Sequence, residues 1–494
     1  MTVFCHPEEV GDRRRDLKLV LYMRNLFLLL AFAAVTACGQ APRIEWVSST
    51  IEDPWQEMEM EVVHSGEVAT ESFSVNVVDV KQTIEGFGTC FNELGWTSLS
   101  ELSEADRAAI LEDLFTPVGA NFTMARMPLG ANDFSIDYYS YDQVDGDFAL
   151  EHFSIDRDRE HLIPFIEAAQ AVNPDLKIWA SPWCPPSWMK TNKHYASRSS
   201  RFNDLPEGKQ IPEGVDGFIL EPKYLDAYAR YFGKFIDAYR AEGIDHFMVM
   251  PQNEPNSDQP FPSCTWTPEG LIAFLKYLGP EMASRGVDVY LGTMERPDPE
   301  MWDKIVNDPE VGPYIKGMGF QWAGKDALPE LHRRHPELPC YMTEQECGDG
   351  RNDLAGALHS WDLMKHYIDN GVQGYFYWNT SLLEGGISTW GWRQNSLVVV
   401  DKEAKTFRYT PEYYVLKHVS HYVQPGAKVL GLRGDSDNVL AFQNPDGQIV
   451  LVVANKDAFP KTVEFSVLGR QSRSSKPAVH TLDLPAQSMN TILL

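Results

Sequence analysis

At 494 residues the chain is too long for one small domain and suits a large barrel with an accessory unit. Hydrophobic residues make up 43% and charged residues 23%, which provides for a sizeable core and excludes a disordered or fibrous chain. The formal charge of −27 repels phosphate backbones and argues against nucleic acid as a partner, while leaving a neutral sugar acceptable.

Residues 26–35 form a short apolar run with Arg24 just ahead of it, the shape of a secretory h-region and too short to span a bilayer comfortably. The run ends in Val35-Thr36-Ala37-Cys38-Gly39, which resembles a bacterial lipoprotein processing site with Cys38 as the lipidated residue. Residues 1–38 are therefore expected to be a leader. The first 22 residues, with Glu8, Glu9, Asp12 and three arginines, fit a leader poorly, so Met23 is the expected start. The protein is expected to be an exported bacterial lipoprotein in the periplasm or at the cell surface, meeting the membrane only through the Cys38 anchor. Residues 39–71, with Glu52, Asp53, Glu57, Glu59 and Glu61, read as an acidic solvated tether holding at most one irregular strand.

From residue 72 the pattern sharpens. Alternation over 72–80 predicts a half-exposed strand. Eight short apolar runs then alternate with amphipathic helices, at 84–91, 122–129, 177–182, 246–251, 287–294, 315–322, 340–344 and 374–378. The helices carry start signals: Ser103-Glu104-Ala105-Asp106 as a capping box, and Thr267-Pro268-Glu269 with proline at the first helical position. Strand–helix alternation repeated eight times predicts an α/β fold, a (β/α)8 TIM barrel over 84–405. A doubly wound sheet is the alternative, and no Gly-rich phosphate turn after the first strand recommends it. After residue 405 the pattern is all-β apart from a helix-like 413–419. Short runs fall at 429–432, 439–442, 449–454, 463–467, 479–482 and 491–494, and Asn444-Pro445-Asp446-Gly447 is a hairpin turn. With 72–83 these make an accessory β-sandwich built from both chain ends, expected to brace the barrel.

Seven cysteines show no Cys-x-x-Cys pair and no zinc spacing, so buried free thiols are expected rather than a disulfide framework. No His-x-x-x-His pair and no Gly-x-Ser-x-Gly elbow is present, so neither a catalytic metal, a cofactor nor a serine nucleophile is expected.

Barrel enzymes place their chemistry where strands run into the following loops. The polar and aromatic residues there are Asn92, Arg126, Asp133, Trp183, Asn253, Glu254, Gln321, Trp322, Glu344, Trp378 and Asn379. An apolar run ends in Met250-Pro251-Gln252-Asn253-Glu254-Pro255, and a second ends in Thr343-Glu344. Two strand-end glutamates with tryptophans suit cleavage of an acetal through an oxocarbenium-like state: one carboxyl protonates the leaving oxygen and the other attacks the sugar. Glu346 competes for the second role, since it would share the face of Glu344 if the strand continued.

Asn253-Glu254-Pro255, Ala180-Ser181-Pro182-Trp183, Trp188-Met189-Lys190-Thr191-Asn192, Asp133-Phe134-Ser135 and Thr343-Glu344 together resemble glycoside hydrolase family 30, the glucosylceramidase-like enzymes, from about residue 84 to the C-terminus. The resemblance implies a barrel with a β-sandwich from both ends and hydrolysis with retention. It implies Glu254 as acid/base and Glu344 as nucleophile, about 5 Å apart. Asn253 would hold the 2-hydroxyl, Asp133 would grip hydroxyls at the far side of the ring, and Trp183 and Trp378 would wall the pocket. Arg126 would hydrogen-bond Glu344 and keep its pKa low, with Gln321, Trp322 and Asn379 completing the substrate contacts. Gln321-Trp322 departs from the His-Trp of many members, and glutamine cannot carry the charge of that histidine.

The expected function is a retaining β-glycoside hydrolase cleaving β-glucosidic bonds in a β-linked glucoside, an oligosaccharide or a glycolipid. The alternatives are a β-1,6-glucanase or an exo-acting β-xylosidase or β-fucosidase. A catalytically inactive glycan-binding lipoprotein is the remaining one, and it would show a missing carboxylate.

Overall fold

The computed structural model describes residues 44–59, 69–469 and 478–494. The expected leader, its start and the Cys38 anchor lie outside the described residues.

Eight parallel strands close into a barrel in sequence order. They are β1 (Gly86–Cys90), β2 (Met124–Pro128), β3 (Lys177–Ser181), β4 (His246–Val249), β5 (Asp288–Met294), β6 (Ile315–Gln321), β7 (Cys340–Glu344) and β8 (Val372–Asn379). β2 and β7 are buried along their whole length, as expected of strands packed on both faces. The outer helices follow the sequence signals. Ser103 caps Glu104–Phe115 through its side chain, and Thr267 caps Pro268–Ala283 with proline in the first turn. Helix Pro222–Ala241 buries Leu225, Tyr228, Phe232, Phe235, Ile236 and Tyr239, one stripe at three- and four-residue spacing.

Register shifts interrupt the ladders near the strand ends that carry the site. Pairing of β7 with β6 slips between Met342 and Glu344, which sets Glu344 beside Gln321. Pairing of β8 with β1 slips between Tyr377 and Asn379. Such irregularities re-aim side chains at a barrel rim. Beyond β8 the chain adds a three-stranded sheet, Ser381–Leu383, Val398–Asp401 and Thr406–Tyr409, that the sequence pattern did not suggest.

Both chain ends meet in a second sheet of nine strands, in the order Val479–Leu484, Lys461–Leu468, Glu71–Thr83, Lys428–Gly434, Val439–Gln443, Ile449–Asn455, Ser488–Leu493, Glu45–Ser49 and Gln56–Met58. The acidic stretch expected as a tether thus contributes two strands. Glu45–Ser49 pairs along its length with the C-terminal strand, Trp46 opposite Ile492, and the Trp46 indole donates to Asn490 Oδ1 at 3.1 Å. Helix Pro411–Ser420 lies between barrel and sheet: the two ring nitrogens of its His418 stand 2.8 Å from Thr491 Oγ1 and from Ser49 Oγ. Val450, Val452, Phe442 and Leu493 of the sheet belong to the same buried apolar cluster as the barrel residues, so the sheet braces the barrel. Cys90, Cys184, Cys264, Cys340 and Cys347 are free and buried, as the sequence led us to expect.

Trp46→Ala tests the N-terminal strand. Because Trp46 is only 6% exposed, the substitution should cost about 3–5 kcal/mol in urea unfolding. A solvated tether would give a change within about 0.5 kcal/mol.

Candidate active site

The mouth of the barrel is organised by Arg126, a fully buried guanidinium in the middle of β2. Its Nη1 donates to Glu344 Oε2 at 2.9 Å and to the Thr343 carbonyl at 3.0 Å; its Nη2 donates to Asn253 Oδ1 at 2.7 Å and Ser181 Oγ at 2.9 Å. One side chain on β2 therefore fixes the ends of β3 and β7 and the loop after β4. The guanidinium also lies 4.4 Å from the ring centre of Trp183, with Trp179 and Trp378 at 5.0 and 5.6 Å.

Glu254 sits five residues beyond β4, in the left-handed region at φ 50°. A bulky residue rarely adopts this conformation, and the surroundings hold it there. The Glu254 N–H donates to the Thr293 carbonyl and lies 3.1 Å from Thr293 Oγ1, while the Thr293 N–H donates to the Gln252 carbonyl at 2.7 Å. Gln252, fully buried, donates to the Trp183 carbonyl at 2.6 Å and accepts from the Trp266 indole.

Gln321 joins the two glutamates. Its Nε2 donates to Glu254 Oε1 at 3.0 Å and to Asn253 Oδ1 at 3.2 Å, and the Thr343 hydroxyl lies 2.9 Å from its Oε1. The Trp322 indole donates to Glu344 Oε1 at 3.2 Å, and Gln259 Nε2 donates to Glu254 Oε2 at 3.2 Å. Asn253 Oδ1 also accepts from Thr293 Oγ1, and among the described residues its Nδ2 has no hydrogen-bond partner.

The two carboxyls occupy unlike fields. Burial, with the negative charges of Glu295, Glu344 and Asp133 around it, pushes Glu254 well above the usual carboxylate range, and Gln321 opposes this only in part. Burial lifts Glu344 too, so Arg126 does not bring it below the ordinary value as expected. Arg126 and the Trp322 indole nevertheless hold it back, while Glu254 has no cation among its hydrogen-bond partners to do the same. Asp133 is likewise lifted by burial and by the charge of Glu344. Its Oδ2 accepts from the Trp378 indole at 3.3 Å and its Oδ1, buried, has no partner.

These groups surround one narrow pocket lined by Asp133, Trp183, Glu254, Trp322 and Glu344. Gln259, Phe261, Glu295, Trp392 and Gln394 also line it, and the sequence reading had not singled them out. Glu295 directly follows β5 and could have been found by the strand-end rule; Trp392 and Gln394 lie in the long loop after β8, where no periodicity marks a side chain's direction. Arg126, Asn253, Gln321, Trp378 and Asn379 stand behind that lining. Asn379 accepts from Asn92 and donates to Gln394 Oε1 at 2.7 Å, so it holds a pocket residue in place. Glu346 does not share the pocket: Lys325 and His359 bind its carboxylate at 2.7 and 3.0 Å and outweigh burial to hold it below the ordinary range. Trp188 packs against Phe148 and Tyr224. Among the described residues no group of three or more His, Cys, Asp or Glu is arranged to hold a metal ion.

A closed parallel barrel with two buried glutamates at the ends of its fourth and seventh staves, walled by tryptophan and free of a nucleophilic serine elbow, defines a glycoside hydrolase. The comparisons agree. The glycosyl hydrolase family 30 TIM-barrel domain matches residues 84–423 and the family's β-sandwich domain matches 426–492. The chain belongs to glycosyl hydrolase family 30. It is 29% identical over 433 residues to the lysosomal acid glucosylceramidase of Mus musculus, covering 81% of each chain. It is 28% identical over 437 residues to an endo-1,6-β-D-glucanase of Aspergillus fumigatus, covering 84% of this chain and 85% of that one. The crystal structure of SrfJ from Salmonella typhimurium superposes with a TM-score of 0.79 at 25% identity, over 92% of this chain and 99% of that one.

Carboxyl titration followed by NMR with labelled glutamate should find Glu254 titrating above Glu344 and above the ordinary glutamate range. Glu344→Gln removes a negative charge that disfavours ionisation of Glu254, so the Glu254 midpoint should move to lower pH. An unchanged or raised midpoint would contradict the coupling.

Proposed function

We propose that the protein hydrolyses β-glucosidic bonds with retention, Glu254 acting as acid/base and Glu344 as nucleophile. The observation that supports this most is the placement of both carboxyls in one pocket, Glu344 held by Arg126 and Glu254 by the neutral Gln321, with burial and negative neighbours raising Glu254. In the first step the ionised Glu344 attacks the anomeric carbon while Glu254 passes its proton to the leaving oxygen. In the second, Glu254 takes a proton from water and the water displaces Glu344. The guanidinium holds the attacking carboxylate in place, and Glu344's charge is consumed as the ester forms. Loss of that charge lowers the pKa of Glu254 and suits it to act as a base in the second step.

Asp133 Oδ1, buried without a partner at the pocket wall, accepts from a sugar hydroxyl. Asn253 has its Oδ1 occupied by three donors and keeps Nδ2 for the 2-hydroxyl. Trp183, stacked on Trp378 at 5.0 Å between centroids, supplies an apolar wall. The substrate class is a β-glucoside, for which the glucosylceramidase and β-1,6-glucanase relatives give the two forms. We also propose, from the sequence around Cys38, that the enzyme is exported and lipid-anchored. Mass spectrometry of the membrane fraction should find diacylated Cys38 as the first residue, and an unmodified Cys38 would reject the anchor.

Proton NMR during hydrolysis of an aryl β-glucoside should show the β-anomer of glucose first. Glu344→Gln should lower kcat by at least about 10⁴-fold. An α-anomer appearing first, or substantial turnover by that variant, would overturn the assignment.

A further inference from the structure

The pocket contains a carboxylate that the two-glutamate reaction does not use. Glu295 follows β5 directly, is 6% exposed, and lines the pocket together with Glu254, Gln259 and Phe261. Its Oε1 is bound by Arg296 Nη1, while its Oε2 is buried with no hydrogen-bond partner. The Ser257 hydroxyl stands close to Glu295 without forming a hydrogen bond to that oxygen. An unmade bond on a buried carboxylate oxygen is costly, and it invites a donor from whatever fills the pocket.

Its surroundings are built to keep it there. Asn256 Nδ2 donates to the Arg296 carbonyl at 2.8 Å, which ties the residues after β5 to the loop that carries Glu254. Arg296 Nε in turn donates to Glu213 Oε1 at 3.0 Å, so the cation on Oε1 is held from its far side. The side chain is fixed at one oxygen and open at the other.

Around the barrel, Glu295 stands next to the acid of β4, on the arc from β4 through β5 and β6 to β7, whereas Trp183 after β3 and Asp133 after β2 stand on the other arc. The wall of Asp133 and Trp183 takes the ring that is transferred to Glu344. The wall beside the acid faces the leaving group, because the acid protonates the leaving oxygen. We propose that Glu295 is a specificity-determining residue: its free Oε2 accepts a hydrogen bond from a hydroxyl of the leaving group, and the preferred leaving group is a second sugar. This rests on the reading of Glu254 as the acid. Phe261 and Trp392, their ring centroids 6.3 Å apart, line the same pocket and offer apolar faces there, a combination with this oxygen that a sugar's carbon–hydrogen face and hydroxyls complement. An alkyl chain laid there would bury the carboxylate oxygen without a donor.

The test compares kcat/KM for a β-linked diglucoside and for an alkyl β-glucoside, in the wild type, Glu295→Ala and Glu295→Gln. Both leaving groups are alkoxides that need the same proton from Glu254, and only the diglucoside brings further hydroxyls. The alanine variant should lose about tenfold to a hundredfold more on the diglucoside than on the alkyl glucoside, as expected for a bond to a charged acceptor. The glutamine variant, which keeps a neutral acceptor, should fall between. Equal losses on both substrates would overturn the proposal and leave Glu295 acting only through Glu254 or the fold. A wild-type preference for the alkyl glucoside or for glucosylceramide, unchanged in the variants, would overturn it too. A wild type that turns over neither β-glucoside sinks the parent reading, and this one with it.

Discussion

A cation with no exposure to water, Arg126, is the constraint on which the site depends. Burying a charge is tolerable only when it is paired and its hydrogen-bonding capacity is filled. Here the guanidinium meets a carboxylate, an amide oxygen, a hydroxyl and a carbonyl drawn from three other parts of the barrel. Its planar fork and its aromatic bed suit arginine; a lysine ammonium could not reach these partners at the same angles. The same requirement that makes the residue tolerable in the core fixes the nucleophile's position, so stability and preorganisation are served by one set of bonds.

Around that hub the carboxylates are graded by their neighbours. Glu344 has the cation and an indole; Glu254 has two amides and three negative neighbours; Asp133 has one indole and an unfilled oxygen. Separating the protonation of like groups by their surroundings is how acid and base work coexist at one pH. Gln321 matters here because it is neutral. It donates to the acid without adding a charge that would pull the Glu254 pKa down further, as a protonated histidine at this position would.

The sequence made the barrel legible because short, mainly apolar runs of strand length recur between amphipathic helices: β7 was expected at 340–344 and forms there, buried along its length. Glu254 was equally plain, standing between an asparagine and a proline just past such a run. What stayed hidden depends on contacts distant in the chain. Glu45–Ser49 has too few residues to show alternation, and its burial comes from pairing with strand Ser488–Leu493 at the other end of the chain. Ser381–Leu383 is similarly brief and pairs with Val398–Asp401 across a loop. The positions of Gln259, Trp392 and Gln394 in the pocket follow from loop paths that no periodicity encodes. Glu346 shows the converse: a period-two pattern put it beside Glu344, but the strand ends at Glu344 and Lys325 and His359 draw its carboxylate away.

The central claim is that two carboxyls reach the same glycosidic bond from opposite sides, one of them becoming esterified. A crystal structure of the protein reacted with a 2-deoxy-2-fluoro-β-glucosyl fluoride tests it most directly. We expect an ester between the anomeric carbon and a carboxyl oxygen of Glu344, with the Glu254 carboxyl about 5 Å from it on the leaving-group side. An ester on another residue, or no adduct with the two carboxyls roughly 6.5–9.5 Å apart as in an inverting enzyme, would contradict it.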